Sequence, residues 1–517
     1  MAEHRLDVSD LRDGGSGARY RGLLATWTQV GAYLWLRSRT GYALTLRNVN
    51  MHFDLARWIR AMPVLCAVMT LLVCAGAFIF SLIHPAGVVR DSRIVMDRAS
   101  GEVFVNVNGR LHPALNLSSA RLIVGAWMAP TPVAHSSIAQ NPIGPRVGIP
   151  GAPDDMEVSN GSSVSAAVCQ RAAANSVAGR VAVTVLDGGI VLGERARPLA
   201  PAEAVLAQLN GQTYVIWNGS KSLVDPQNRI VLSALGIGGD DLAAATPLSG
   251  AVGNAIPTGL SLAEPVVPNF GEPAPWNLGV EAPVGAVVQS APPGQAPRFF
   301  LVLIEGVQEV PQTVAAMIRS RNAFGAASPR VVSPDALAAV PRVNVVSVSQ
   351  YPAGPVRVIS VRDRPVTCWW WREGRGASAA ETVVLSGTEL PIRPSADADV
   401  VQVVSSHKGA DGADAVYMAG DAANYVAGTG NAGAAATRET MWWLSRSGTR
   451  FGLSSQAQVR ESLGLSGEPL PMPWVLLRLF PRGLPANVAL SKEDAMTQHD
   501  NVGSDARPAA LLPPSAP

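Results

Sequence analysis

The sequence predicts a bitopic membrane protein: a single N-terminal transmembrane helix, then a large α+β periplasmic domain with a β-rich central part and four strand–turn–strand–helix repeat units. Three observations predict it. Residues 61–83, "AMPVLCAVMTLLVCAGAFIFSLI", carry no charge. Beyond them, one order of apolar run, glycine turn, second strand and helical pattern occurs four times. Between the copies lie Pro- and Gly-rich connectors and Val-rich stretches that read as further strands.

The N-terminal segment, 1–60, begins with a polar, glycine-rich stretch that reads as disordered. Residues 19–48 mix Arg with Trp, Tyr and Leu, which suits an amphipathic helix against a membrane face or a partner. Gly31 and Gly41 argue against one unbroken helix. The span follows at 61–83. Roughly 20 apolar residues at about 1.5 Å each cross a bilayer core of about 30 Å. A cleaved signal peptide would have a shorter apolar core nearer the N-terminus.

Flanking charge sets the orientation. Residues 1–60 hold nine Arg against five Asp and Glu, a net of +4, and the chain from 84 onward has a net of −2. Positive flanks stay inside, so the N-terminus is cytoplasmic and the large domain lies outside the cytoplasm. Cys66 and Cys74 lie in the span. Cys169 and Cys368 remain as one pair in an oxidising compartment, which favours a disulfide over two unrelated buried thiols.

The four units lie near 90–130, 205–245, 295–325 and 435–468, with turn glycines Gly109, Gly219, Gly306 and Gly448. Asn116, Asp225 and Ser454 or Ser455 read as helix N-caps, and Pro226 and Pro311 as first-turn residues. Gly125, Gly236 and Gly464 read as C-caps; the third unit has none at that distance, Gly325 lying further on. The β-rich central part falls near 135–200 and 335–430, within a domain of 84–500. Ser491 with Asp494 reads as a capping box, and 501–517 as a disordered tail.

Charge and motifs exclude much. Charged residues are 15% of the chain, the formal net charge is +2, and no basic excess marks a nucleic-acid binder. There is no GxxxxGK[ST] phosphate loop; Lys408 in "HKGADG" lacks the strand-then-helix context. No HExxH, Cys/His cluster or GxSxG elbow is present. The pairs Asp154–Asp155 and Asp240–Asp241 read as solvated turns. Trp369, Trp370 and Trp371 read as packing against the cystine, with a sugar platform as the alternative. His112 resembles a catalytic corner, yet its counterparts in the other three units are not histidines, so it reads as scaffold. The sequence therefore assigns no catalytic residue, cofactor or metal ligand.

"GRLHPALNLSSARLIVG" followed by "GPRVGIPGAP" resembles the EccB family, a membrane core component of ESX (type VII) secretion systems. The placement of Cys169 and Cys368, "TRFGLSSQAQVRESLGL" and "ALSKEDAMTQHD" extend the resemblance to about residue 500. The segment "TQVGAYLWLRSRTGYAL" departs from the family's denser Arg-rich pattern. The resemblance implies an inner-membrane protein that scaffolds the complex beside the EccC motor ATPase, EccD, EccE and the mycosin protease. It implies self-association through the periplasmic domain and repeats similar to a phage-lysin wall-binding fold. Family members are often described as ATPases, so a nucleotide hydrolase with an unrecognised site and a peptidoglycan-anchoring module stand as alternatives.

Overall fold

The computed structural model describes residues 26–47, 55–83, 89–159, 161–172, 181–291, 294–374, 377, 379–403, 412–431 and 440–499. The expected disordered ends and Lys408 lie outside these. The chain divides into two compact units, Met1–Ala86 and Gly87–Pro517.

The first unit has two helices among its described residues. Trp27–Leu46 is one continuous helix that runs through Gly31 and Gly41, so the expected interruption is absent. Thr26 precedes it, its N–H donating to Gln29 Oε1 at 3.1 Å. The exposed apolar residues Trp27, Val30, Tyr33, Leu34, Trp35, Leu36 and Leu44 surround the helix. The expected amphipathic face is weak, because 33–36 are consecutive and successive residues turn about 100°. The second helix is Leu55–Ile83, in which Ala61–Ile79 is long and apolar enough to cross a membrane and is entirely unburied. Thr70, inside it, donates to Cys66 O at 2.8 Å, which satisfies the hydroxyl away from water. Cys66 and Cys74 are free and exposed on this helix.

Among its described residues the second unit contains five sheets. The first is Ile94–Asp97, Val103–Val107, Arg110–Ala114 and Thr131–Val133. Its first three strands are antiparallel and the fourth lies parallel to the first, after the helix Leu117–Val124. The same order recurs at Glu203–Leu209 through Thr246–Pro247, Val287–Ser290 through Arg330–Val331, and Tyr425–Thr429 through Leu470–Pro473. Each sheet thus has one strand before and one after the strand–turn–strand–helix pattern read from sequence, and the second has a further strand, Arg357–Val358, parallel to Glu203–Leu209. The strands that follow the pattern are only two to four residues long, too short to announce themselves by periodicity.

A seven-stranded sheet occupies the middle. Ser163–Ala172, Val181–Asp187 and Ala196–Pro198 enter it after the first sheet. Val366–Gly374, Glu381–Gly387, Val401–Gln402 and Ala415–Met418 enter it after the third. The outer sheets pair by shared cores. Leu122, Val105, Trp443, Phe451 and Leu463 join the first to the fourth; Leu206, Leu235, Leu301, Val314 and Ile318 join the second to the third. Chain order is therefore nested around the central sheet.

Helix punctuation was partly as read. Asn116 caps Leu117–Val124, accepting from Ser119 N, and Gly125 and Gly236 end their helices with positive φ. Asn228, not Asp225, caps Arg229–Leu235. Asp225 instead accepts from Gln227 N in a turn, which leaves Pro226 outside the helix. Pro311 is itself the N-cap of Gln312–Arg321, and Gln456 rather than either serine precedes Ala457–Ser462. Gly464 lies one residue past the C-cap Leu463, at φ 73°. Ser491 caps Lys492–Ala495, while Asp494 turns its carboxylate to Ala489 N and the Ser491 hydroxyl.

Candidate functional site

The turn glycines stand at four separate hairpins and are not brought together. Asn108–Gly109 and Asn218–Gly219 each place two successive residues at positive φ, the geometry of a tight two-residue hairpin. Gly306 answers a different need: a β-carbon there would stand 2.2 Å from Pro341 O. Gly448 lies against Val416 of the central sheet.

Pro341 belongs to a feature that sequence reading missed. In each outer sheet a proline carbonyl accepts from the third strand: Pro142 from Leu111, Pro257 from Lys221, Pro341 from Val307 and Pro481 from Arg450, at 2.8–2.9 Å. Two residues later the chain donates back, from Gly144, Gly259, Val343 and Gly483. This strap covers the free edge of the hairpin, and proline, lacking N–H, cannot extend the pairing outward. A Pro-x-Gly in three of four copies was the available signal.

His112 serves this strap. It is buried, its Nδ1 lies 3.0 Å from Pro145 O, and its ring packs on Gly144. Lys221 is buried too, and its Nζ donates at 2.7 Å to both Gly253 O and Ile256 O. Burial pushes its pKa down. Asp155 pairs with Arg121 at 3.1 Å, and Asp241 accepts from Gly238 N; Asp154 and Asp240 are exposed. Among the described residues, no three His, Cys, Asp or Glu side chains converge as a metal centre would need.

Cys169 and Cys368 are brought together. They oppose one another on neighbouring strands of the central sheet, bonded at an S–S distance of 2.00 Å and wholly buried. Alternation along the strand splits the three tryptophans. Trp370 packs with the cystine and donates to Ser165 Oγ at 3.0 Å. Trp369 and Trp371 face the other way, into a core with Ala251, Val252, Leu476 and Leu477. None presents a sugar platform, because all three are buried.

A second missed cluster ties the second sheet to the central one. Glu203 is buried and accepts from Arg197 at 2.8 Å, Arg364 at 3.3 Å, Ala200 N at 3.1 Å, and Arg357. Burial alone would raise its pKa; the Arg197 and Ala200 hydrogen bonds and the Arg364 and Arg197 charges overcome that and hold it at about 2, from 4.5. A depressed carboxylate stabilises the fold above its unfolded pKa and loses that contribution as pH falls through the folded one. The unit should therefore lose about 2 kcal/mol between pH 4.5 and 2, after discounting the exposed arginines for screening. Urea titrations of wild type and Glu203→Gln across that window check it. An identical acid profile in the variant would refute the assignment.

The family described as "Type VII secretion system ESX-1, transport TM domain B" matches residues 23–504. The ESX-5 secretion system ATPase EccB5 of Mycobacterium marinum is 39% identical over 97% of this chain and 99% of its own. The ESX-2 secretion system ATPase EccB2 of Mycobacterium tuberculosis is 36% identical over 93% and 96%. Among solved structures, a chain of an intact ESX-5 inner membrane complex superposes with a TM-score of 0.73 at 38% identity, over 96% of this chain and all of that one. The EccB3 dimer from the ESX-3 core complex gives 0.69 at 33%, over 78% and 99%. Matches of this length take in the apolar helix, the nested sheets and the cystine strands together. The chain belongs to the EccB family of type VII secretion systems.

Proposed function

We propose that this protein is a structural component of an ESX inner-membrane complex, holding the assembly together through its C-terminal unit for protein export. The observation that carries the reading is the full-length likeness to a chain of the ESX-5 inner membrane complex. The ESX-3 relative is a dimer, which supports self-association. The +4 charge of residues 1–60 supports a cytoplasmic N-terminus and a periplasmic C-terminal unit. The four outer sheets, alike in strand order, are read as copies of one repeat unit within 84–500. EccC, EccD, EccE and the mycosin protease are the partners that family membership suggests.

The relatives' names include ATPase. His112, Asn116, Lys221 and Glu203 are engaged in hydrogen bonds and ion pairs that hold the sheets and their straps, which favours a scaffold. Full-length protein purified from membranes in mild detergent should elute in one large particle with other membrane proteins and hydrolyse no ATP above background. Deleting 84–517 with the anchor retained should abolish export. ATP turnover by the pure protein, lost on one point substitution, would promote the hydrolase reading instead.

A further inference from the structure

Three arginines converge on one carboxylate where the second outer sheet meets the central one. Glu203, buried at the start of the strand Glu203–Leu209, takes a nitrogen from each of Arg197, Arg357 and Arg364. Arg197 belongs to Ala196–Pro198, an edge strand of the central sheet, and Arg357 to the short strand beside Glu203–Leu209. One carboxylate balances one guanidinium, so the group keeps a surplus of two positive charges. Adjoining charges do not remove it. Arg195 and Arg171 are balanced by Asp397 and Glu389, while exposed Arg362 and Asp363 are adjacent and opposite in sign.

The surplus faces outward. The Arg357 side chain is 67% exposed, Arg197 41% and Arg364 22%, against 4% for Glu203. Glu203 occupies Nη2 of Arg197, Nη2 of Arg357 and Nη1 of Arg364, and Arg197 Nη1 donates to Pro198 O at 3.1 Å. Among the described residues, Nε and Nη1 of Arg357 and Nε and Nη2 of Arg364 have no protein acceptor. Arg197 and Arg364 are enough to neutralise the buried acid; Arg357, the most exposed of the three, is more than it requires. Anchored on one carboxylate, the side chains have already lost much of their rotamer freedom, so a second anion meets them in place.

We propose that Arg197, Arg357 and Arg364 form a docking point for an acidic segment of a neighbouring protein, with two carboxylates close in sequence. This rests on the reading of the chain as a component of a membrane assembly, and it names one chemistry that holds it there. Charge complementarity selects the partner, because two uncompensated guanidiniums call for two acids. A guanidinium fork grips a carboxylate through two nitrogens at once, which fixes how the segment lies.

The test is photo-cross-linking of the full chain in intact membranes, from a benzoylphenylalanine in place of Ala202. Ala202 is exposed, precedes Glu203 and accepts from Arg357 N at 2.7 Å, so the probe stands beside the cluster and alters no charge. It should capture a partner peptide with at least two Asp or Glu close together, read by mass spectrometry. Raising sodium chloride from about 0.1 to about 0.5 M before irradiation should cut the yield roughly fivefold, because the screening length falls from about 10 Å to about 4 Å. Arg357→Gln should lower it by a similar factor. Arg298→Gln, which removes an exposed arginine from a one-to-one pair with Glu309, should leave it unchanged. Should Arg357→Gln fail to fold, the salt series on the native arginines decides alone. A cross-link to lipid or to a segment without acids overturns the proposal, as does a yield that Arg357→Gln leaves unchanged. A large detergent-extracted particle without the acidic cross-link removes the docking point and leaves the scaffold reading standing. Protein that elutes alone overturns both.

Discussion

Replacing Cys169 and Cys368 together by serine is expected to lower the stability of the C-terminal unit by about 2–5 kcal/mol. The two residues are 199 apart in sequence and directly opposed on the strands Ser163–Ala172 and Val366–Gly374, with Cα atoms 4.0 Å apart. Those strands come from the two halves of the nested chain, so the bond closes a loop holding the second and third outer sheets. Releasing that loop restores entropy to the unfolded chain. The serines add a second penalty, since two hydroxyls would be buried among Ala167, Leu186, Val366 and Leu385. Thermal unfolding of wild type and the double variant checks the magnitude. Reductant added to the native protein should do nothing until it unfolds, because both sulfurs are wholly buried. Coincident melting of the two proteins would refute the loop argument.

That pairing was legible because it needs only counting: two cysteines in the span, two outside it. Local chemistry was legible too. Asn108–Gly109 requires positive φ at both residues, and Asn116 before an apolar run is a cap wherever the helix packs. A third Asn–Gly, 210–211, shows the same geometry and marked a strand that went unread. Competition between neighbours was not legible. Asp225 and Asn228 are both good caps, and only the intervening turn decides for Asn228. Pairing across long separations was hidden for a different reason. Thr246–Pro247 and Arg330–Val331 are two residues long and exist as strands only because an earlier strand lies beside them. Asp187 is the extreme case. It is wholly buried at a strand end that segment 419–424, more than 230 residues away, covers.

Trp371→Ala should cost about 3–5 kcal/mol, comparable to losing the cystine but through packing alone. Trp371 is among the largest wholly buried side chains, paired across the sheet with Ala166 and Thr382. Its core joins the central sheet to the helix Gly250–Ala255 of the second outer sheet and to Trp474–Leu477 of the fourth. Small neighbours such as Ala166, Ala251 and Ala255 cannot expand to fill the space, so the cavity persists. The indole Nε1 has no hydrogen-bond partner, however, so the ring is held by shape and not by polarity. Trp371→Phe should therefore cost far less than Trp371→Ala, because it removes an unpaired N–H while keeping most of the ring. Chemical denaturation of both variants reads the difference. Equal losses would mean that the indole N–H, and not the volume, holds the central sheet to its helices.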